Sequence, residues 1–184
     1  MEKSNPQLTV EYLRECFDLN HETGRLIWKV RPWGHFADDK TWWLFNQHFP
    51  GRVVRALPDR KGYLRFKLHV EGQVWRLYVA RVVFALVHGR WPKWTVDHWD
   101  RDHANNRPTN LKEATFSEQG QNAVSQPNKT GYRGVVKIRR GWRAQIKVDG
   151  KRHYKGPFKT AEQASAAYLA MKAEYHPYQP EVPQ

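Results

Sequence analysis

An acid and an imidazole stand side by side at Asp97 and His98, and Asn110 follows twelve positions after the histidine. Hydrolysis of a phosphodiester requires a nucleophilic water, a group that takes its proton, and a charge that neutralises the developing anion. A neutral imidazole accepts a proton near pH 7, and carboxylate and amide oxygens hold hard divalent ions such as Mg²⁺ or Mn²⁺. The segment therefore indicates the chemistry of metal-assisted phosphodiester hydrolysis.

The residues around this pair predict a ββα unit. Two short strands, over residues 96–99 and 111–115, flank a polar loop, and a helix starts at Ser117. Neighbours on a strand start toward opposite faces, so the twist of the hairpin has to direct Asp97 and His98 into one cleft.

The loop between the two strands is rich in Asn and Asp. Asn110 opens the second strand, where its side chain can bond backbone groups across the loop and hold His98 in place. We interpret Asp100, Asp102 and His103 as residues of Asx-type turns, with a second metal cluster as the alternative.

Upstream, the pattern predicts a helix, a strand, a hairpin and a buried helix. They cover Leu8 to Phe17, Leu26 to Val30, residues 63–70 with 74–79, and Ala80 to Val87, which Gly89 ends. A strand is the alternative for the apolar run before Gly89. A set of large aromatics follows no periodicity: Trp33, Trp42, Trp43, Phe45 and Phe49. We interpret these side chains as packing residues, with stacking platforms for bases as the alternative.

The C-terminal residues predict a small sheet and a helix. The strands cover residues 132–139, 142–149 and 152–158, and a capping box at Thr160 opens a helix that runs to Tyr175. Alternation places one apolar set under the helix: Tyr132, Val136, Ile138, Ala144, Ile146 and Val148. The other face carries a largely cationic set: Arg133, Lys137, Arg139, Arg143, Gln145, Lys147, Arg152 and Tyr154. Arg pairs with guanine, Gln with adenine and Lys with phosphate, so this face predicts a DNA-reading surface, with a solvated polar face as the alternative.

The charge balance agrees with a polyanionic partner. The chain has 31 Lys and Arg against 18 Asp and Glu, a formal net charge of +13, and such a field attracts nucleic acid. No apolar run approaches the roughly 18 residues of a membrane helix, and we expect a cytoplasmic protein without a secretory signal. The single cysteine, Cys16, excludes an internal disulfide and a Cys-rich zinc site.

Residues 96–111 resemble the HNH endonucleases, in particular the phage and intron-associated branch. In that branch a strand carries Asp-His, Asn-Leu follows about twelve residues later, and a further helix provides an Asn. The segments Leu77 to Arg81 and Gly89 to Pro92 are similar to the same branch, and the likeness covers roughly residues 60–125. The resemblance implies a location in the cytoplasm of an infected bacterial host.

By this resemblance the metal ligands are Asp97 with Gln119 or Asn122, the general base is His98, and the residue that braces the loop is Asn110. Two positions depart from the family pattern. Gln119 stands where the family helix has Asn, although its carbonyl can still coordinate a hard cation, and Ala80 stands where many relatives have His.

Residues 130 to about 175 resemble the DNA-binding domain of plant ethylene response factors, which lays a three-stranded sheet in the major groove. The matching motifs are Tyr132-Arg133-Gly134-Val135, Trp142-Arg143-Ala144-Gln145-Ile146, Gly156-Pro157-Phe158 and Ala161-Glu162-Gln163-Ala164. Gln145 and Tyr154 stand where that family usually has an acidic residue and a Trp.

We therefore expect an α+β chain, with a ββα-metal core preceded by a hairpin and helix and followed by a three-stranded antiparallel sheet packed on one helix. The expected domains are a Trp-rich region (1–57), a nuclease domain (58–124), a linker (125–130), a DNA-binding domain (131–176) and a tail (177–184). The expected function is metal-dependent nicking of duplex DNA by a monomer that binds one Mg²⁺ or Mn²⁺. A catalytically degenerate DNA-binding regulator is the alternative.

Overall fold

The computed structural model describes residues 8–70, 72–122, 130–148, 150–176 and 178. In chain order the elements are α1 (Val10–Cys16), β1 (Phe17–Asn20), β2 (Arg25–Trp28), α2 (Asp39–His48), β3 (Leu57–Pro58), β4 (Leu64–Val70), β5 (Gln73–Tyr78), α3 (Val79–His88), β6 (Thr95–His98), β7 (Leu111–Ala114), α4 (Phe116–Asn122), β8 (Val135–Ile138), β9 (Gly141–Val148), β10 (Lys151–Phe158) and α5 (Ala161–Tyr175).

The strands form four antiparallel sheets, in the orders β1-β2, β3-β4-β5, β6-β7 and β10-β9-β8. The chain divides into two compact units, Met1–Ala114 and Thr115–Gln184. The α+β class is the expected one. None of the described helices combines the length and apolarity needed to cross a bilayer. The predicted linker lies almost wholly outside the described residues, as does most of the tail.

The β4–β5 hairpin and α3 pack into the core of the first unit. On β4 the apolar side chains are buried and the polar ones exposed: Phe66, Leu68 and Val70 against Arg65, Lys67 and His69. On α3, Val82, Val83 and Ala85 are fully buried. The helix ends at Gly89, whose φ of 66° is left-handed. The predicted hairpin and buried helix are confirmed.

The helix α2 replaces the irregular stretch that the sequence predicted. Asp38 caps it, because its Oδ1 accepts a hydrogen bond from Thr41 N at 2.7 Å. No residue of α2 is buried, so it lacks the continuous apolar stripe on which periodicity depends. The packing interpretation holds for the half-buried Trp42, but it is wrong for Trp33 and Trp43, which are 55% and 54% exposed.

In the second unit, the β10-β9-β8 sheet packs on α5. Ala144 and Ile146 of the central strand form one buried cluster with Tyr168 and Met171 of the helix. The Thr160 hydroxyl accepts a hydrogen bond from Gln163 N at 3.3 Å and caps α5. The predicted sheet, helix and cap are confirmed.

In strand β8 the two faces are exchanged relative to the prediction, so that the side chains expected under α5 lie on the other face of the sheet. Val135 is fully buried in a cluster with residues of α5, whereas Val136 and Ile138 belong to the other face of the sheet. Lys137, expected on the cationic face, shares the helix side with Trp142, and its Nζ lies 5.8 Å from the ring centroid. A one-residue change of register exchanges the faces of a strand, and two adjacent valines gave no signal to choose between them.

A buried arginine organises the N-terminal part of the first unit. Arg31 is 3% exposed, and its Nε donates to His35 Nδ1 at 3.3 Å, while His35 Nε2 lies 2.7 Å from a carboxylate oxygen of Glu15. Because a guanidinium only donates, His35 is a neutral imidazole that carries its proton on Nε2. Burial lowers the pKa of His35, and the Arg31 charge lowers it further, against the raising effect of Glu15.

We predict that acid weakens this cluster. A histidine whose pKa is depressed in the folded state stabilises the protein above its ordinary pKa of 6.5, and this contribution is lost as the pH falls through the folded value. Protonation of His35 Nδ1 would turn this atom into a donor that faces the donor Nε of Arg31, and the hydrogen bond between them would be lost. The variant His35→Gln should lower the free energy of unfolding by about 1–2 kcal/mol at pH 7.5. It should also flatten the fall in stability between pH 7 and pH 5 in urea titrations.

His21→Gln is the matched control, since His21 is exposed in a turn, and this variant should keep the pH dependence of the wild-type protein. An unchanged pH dependence in His35→Gln would contradict the assignment.

Candidate functional site

His98 ends β6 with a fixed tautomer. The side chain is 1% exposed, and its Nε2 lies 3.2 Å from Asn106 Oδ1. The amide of Asn106 is oriented, because its Nδ2 donates to Ala104 O at 3.0 Å. An amide oxygen only accepts, so His98 Nε2 carries the proton and Nδ1 carries the lone pair. Nδ1 is therefore the atom of this residue that can take a proton.

The pKa of His98 lies below its ordinary value. Burial is the largest cause, and nearby His103 lowers the pKa further. The hydrogen bond with Asn106 and the carboxylates of Asp100 and Asp97 act in the other direction without offsetting burial. The imidazole is therefore neutral at pH 7, which is the form that serves as a general base.

Tyr63 interacts with both members of the acid–imidazole pair. Its ring centroid lies 5.6 Å from that of His98, and the ring stacks on His103 at 3.9 Å. Burial raises the pKa of Tyr63, and the charge of Asp97 raises it further. Asp97 is 6% exposed and lies opposite Lys112 in the β6–β7 register. Asp97 thus interacts with Tyr63 through its charge, and His98 interacts with it through its ring. The sequence did not indicate that Tyr63 belongs to this site.

Asn110 closes the loop between β6 and β7. Its Oδ1 accepts from Asp100 N at 2.9 Å, and its Nδ2 donates to Asp100 Oδ1 and to Asn105 O, both at 2.8 Å. Its own backbone oxygen accepts from Trp99 N at 2.9 Å. The loop engages both polar atoms of this side chain, so Asn110 positions the loop.

The acidic residues of the loop form Asx-type turns, as the sequence predicted. Asp100 Oδ1 accepts from Asp102 N, and Asp102 Oδ1 accepts from Ala104 N, each at 2.9 Å. Asn105 Nδ2 donates to Asp100 Oδ2 at 2.6 Å. Burial raises the pKa of Asp100, but these hydrogen bonds outweigh it and hold the pKa below its usual range.

The turn between β1 and β2 supports the same loop. Gly24 has a φ of 68°, and a Cβ built on it would lie 2.1 Å from the carbonyl C and O of Asn106 and 2.5 Å from Arg107 N. The glycine backbone therefore packs directly on the backbone of the residue that orients His98. No local signal in the sequence connects this turn with the loop.

The remaining expected metal ligands lie on α4, in the second unit. Thr115 and Glu118 cap this helix reciprocally: Glu118 N donates to Thr115 Oγ1 at 3.3 Å, and Thr115 N donates to Glu118 Oε2 at 2.8 Å. Gln119 is half-buried and Asn122 is 3% exposed. The expected ligand set thus has Asp97 in the first unit and the amides in the second.

The donor chemistry fits a hard cation and not zinc. Within the described ranges, no three His, Cys, Asp or Glu side chains are grouped closely enough to hold a metal ion. A structural zinc site needs four such ligands. Mg²⁺ is commonly held by only one or two carboxylates, with waters and substrate phosphate completing its shell. Asp97 supplies one such carboxylate in the first unit.

Five of the eight residues predicted to read DNA share the sheet face turned away from α5. In the register Tyr154 lies opposite Gln145 and Arg152 lies opposite Lys147. The Arg143 guanidinium lies 4.4 Å from the centroid of the Tyr154 ring. The open face is this set of five residues: Arg143, Gln145, Lys147, Arg152 and Tyr154.

The other three predicted residues lie elsewhere. Arg133 precedes β8, Arg139 lies in the turn between β8 and β9, and Lys137 is on the helix side of the sheet. The sequence therefore predicted the open face correctly on the two longer strands and not on the short one.

A family model and a solved structure are similar to this chain. Residues 77–121 match the family model described as HNH endonuclease, and this segment contains Asp97, His98, Asn110 and Gln119. The solved structure is described as DNA binding and cleavage by the HNH homing endonuclease I-HmuI. It has a TM-score of 0.40 and 19% identity, covering 91% of this chain and 85% of that one. No curated protein matches the chain.

We predict that Gly24→Ala disturbs the loop more than an equivalent change elsewhere. Both Gly24 and Gly51 have left-handed φ, but a Cβ at Gly51 meets nothing within 4 Å. Gly51→Ala therefore reports backbone strain alone. Gly24→Ala should cost roughly 1–3 kcal/mol more in urea unfolding, since the Asn106 backbone must shift. It should also change the His98 ring resonances in NMR spectra. Equal effects of the two variants would contradict the close approach.

Proposed function

We propose that this protein is a metal-dependent HNH endonuclease that hydrolyses one strand of duplex DNA, with His98 as the general base. The observation that carries the proposal is the state of His98 within the matched segment. Asn106 orients a neutral imidazole with its lone pair on Nδ1. A base in that state can take a proton from water at neutral pH.

In this proposal the loop residues position the base. Asn110 holds the loop through Asp100 and Asn105, and Asn106 fixes the ring of His98. A divalent ion held by the carboxylate of Asp97 would neutralise charge on the phosphate and the leaving oxygen. His98 Nδ1 accepts the proton of the attacking water as its oxygen bonds to phosphorus, and the ester oxygen departs on the opposite side. As a monomer with a single site, the protein would nick.

The open face is the proposed DNA-binding surface. The cations of the open face belong to a chain whose formal net charge is +13. Gln145 and Tyr154 add an amide and an aromatic ring to this surface. The matched family segment, residues 77–121, does not include residues 130–175, so the likeness of these residues to the DNA-binding domain of the ethylene response factors remains a proposal. In the proposal Arg143, Arg152 and Gln145 contact base edges and Lys147 contacts phosphate.

A non-catalytic DNA-binding regulator is the second candidate. The observation that favours it is the burial of Asp97 and His98, which are 6% and 1% exposed. A nucleophilic water and a scissile phosphate must reach this pair for hydrolysis to occur. Catalysis therefore requires that DNA binding or a local movement uncovers His98, whereas a regulator has no such requirement.

We predict that His98→Ala abolishes nicking without affecting binding. Loss of a general base should slow conversion of supercoiled plasmid to open circle by about 10²–10⁴-fold in Mg²⁺. His21→Ala, which removes an exposed histidine, should nick at the wild-type rate. EDTA should stop the reaction, and Mg²⁺ or Mn²⁺ should restore it.

Gel shifts on the same variants separate the two candidates. If His98→Ala nicks as fast as the wild-type protein, the role of His98 is wrong. If the wild-type protein leaves the plasmid supercoiled while duplex DNA is still shifted, the regulator is the correct function. If RNA displaces the duplex in that shift, neither candidate holds.

We predict that Lys147→Gln weakens DNA binding and that Lys155→Gln does not. Both side chains are exposed, but Lys147 lies on the open face and Lys155 lies opposite Ala144 on the helix side. Removal of one phosphate contact should reduce the slope of log K against log salt concentration by about 1. Fluorescence anisotropy at several salt concentrations measures the slope. Equal slopes for the two variants would show that the open face does not bind the backbone.

A further inference from the structure

An apolar cavity of about 810 Å³ lies in the first unit, bordered by α2 and β4. Aromatic and aliphatic side chains form its walls: Trp28, Phe36, Leu44, Phe45, Phe49 and Leu68. Phe45 and Phe49 stack at 4.8 Å, and Trp28 meets Phe45 edge-on at 5.1 Å. This volume is in the range of pockets that enclose small organic ligands.

Arg31 lines this cavity although it is 3% exposed. Its Nε donates to His35, and its Nη2 donates to Tyr12 Oη at 2.8 Å and to His69 O at 3.4 Å. The Cys16 thiol is a further neighbour, and the charge and a hydrogen bond of Arg31 lower the pKa of that thiol against the larger raising effect of burial. The ring centroids of Phe36 and Phe45 lie 4.7 and 5.1 Å from the guanidinium carbon. Aromatic rings thus lie against the guanidinium of a residue that lines the cavity.

The charge of Arg31 lacks a direct counterion. Among the residues that the structure describes, none supplies a carboxylate within 4 Å of the guanidinium. Glu15 reaches it only through His35, and its side chain is 53% exposed. Burial of a charge is costly unless it is paired, and aromatic faces compensate only in part. An anion bound in the cavity beside the guanidinium would supply the missing counterion.

The cavity walls restrict what that anion can be. A phosphate has several charged oxygens that need several donors, whereas Arg31 is the cation that lies against the aromatic walls of this site. A carboxylate needs fewer donors, and an apolar body attached to it would cover the Phe45 and Leu44 side chains. Lys67 also lines the cavity and adds positive charge at its border.

We propose that this cavity binds a small organic monocarboxylate with an apolar body, whose carboxylate pairs with the guanidinium of Arg31. The site lies outside the residues proposed for hydrolysis. Its occupancy can therefore be measured whether or not the protein cleaves DNA.

A matched pair of probes tests the charge requirement. Biphenyl-4-carboxylate and biphenyl-4-carboxamide have nearly the same shape and differ in charge. Isothermal titration calorimetry on the full chain should give one site per molecule. The carboxylate should bind at least about 10-fold more tightly, as expected for a charge-assisted hydrogen bond. Arg31→Gln should remove that preference.

A second variant keeps the test valid if Arg31→Gln fails to fold. Leu44 is 40% exposed on α2 and lines the cavity, so Leu44→Trp should fill it and abolish binding of the carboxylate. Gln47→Trp places the same ring on the same helix at an exposed position that does not line the cavity, and it should bind normally.

Three results would overturn the proposal: equal affinity for the two probes, no binding of the carboxylate, or unchanged binding in Leu44→Trp. Displacement of the carboxylate by oligothymidylate at equal concentration would also overturn it, because the cavity would then take a nucleotide.

Discussion

The hydrogen bond between His98 and Asn106 is the constraint on which the candidate site depends. It fixes the tautomer of a buried imidazole, and the tautomer decides which nitrogen can accept a proton. The bond exists because Asn106 is itself held from two sides. Its amide bonds Ala104, and its backbone rests against Gly24. Ala104 is close to Asn106 in the sequence, whereas Gly24 comes from a distant part of the chain.

Two buried groups in the first unit follow the same physical rule. His98 and Arg31 are both removed from water, and each is surrounded by oriented hydrogen-bond partners. For His98 burial favours the neutral form, which is useful to a base. For Arg31 the charge cannot be lost, so the surroundings supply aromatic faces and a neutral histidine. Polar groups in this small core are therefore specific features, since an unpaired one would be costly.

Hydrophobic periodicity predicted the helices and strands that bury one face over several residues. The alternation of β4, the apolar run of α3 with Gly89, and the cap of α5 all appear where they were expected. It failed for α2, which buries no residue, and for β8, whose adjacent valines allow either phase. The pair at Asp97 and His98 and the bracing position of Asn110 were visible from spacing alone, and they fall in the segment that matches HNH endonucleases.

By itself the sequence determined the residue types of the site, the turn chemistry of its loop and the cationic character of the C-terminal sheet, because these depend on neighbours along the chain. Only the tertiary structure decided that Tyr63 lies beside both members of the pair and that Gly24 supports Asn106. It also decided that Arg31 borders an apolar cavity. These contacts join residues far apart in the chain, and no local propensity encodes which distant side chain will fill a given space, since packing selects it during folding.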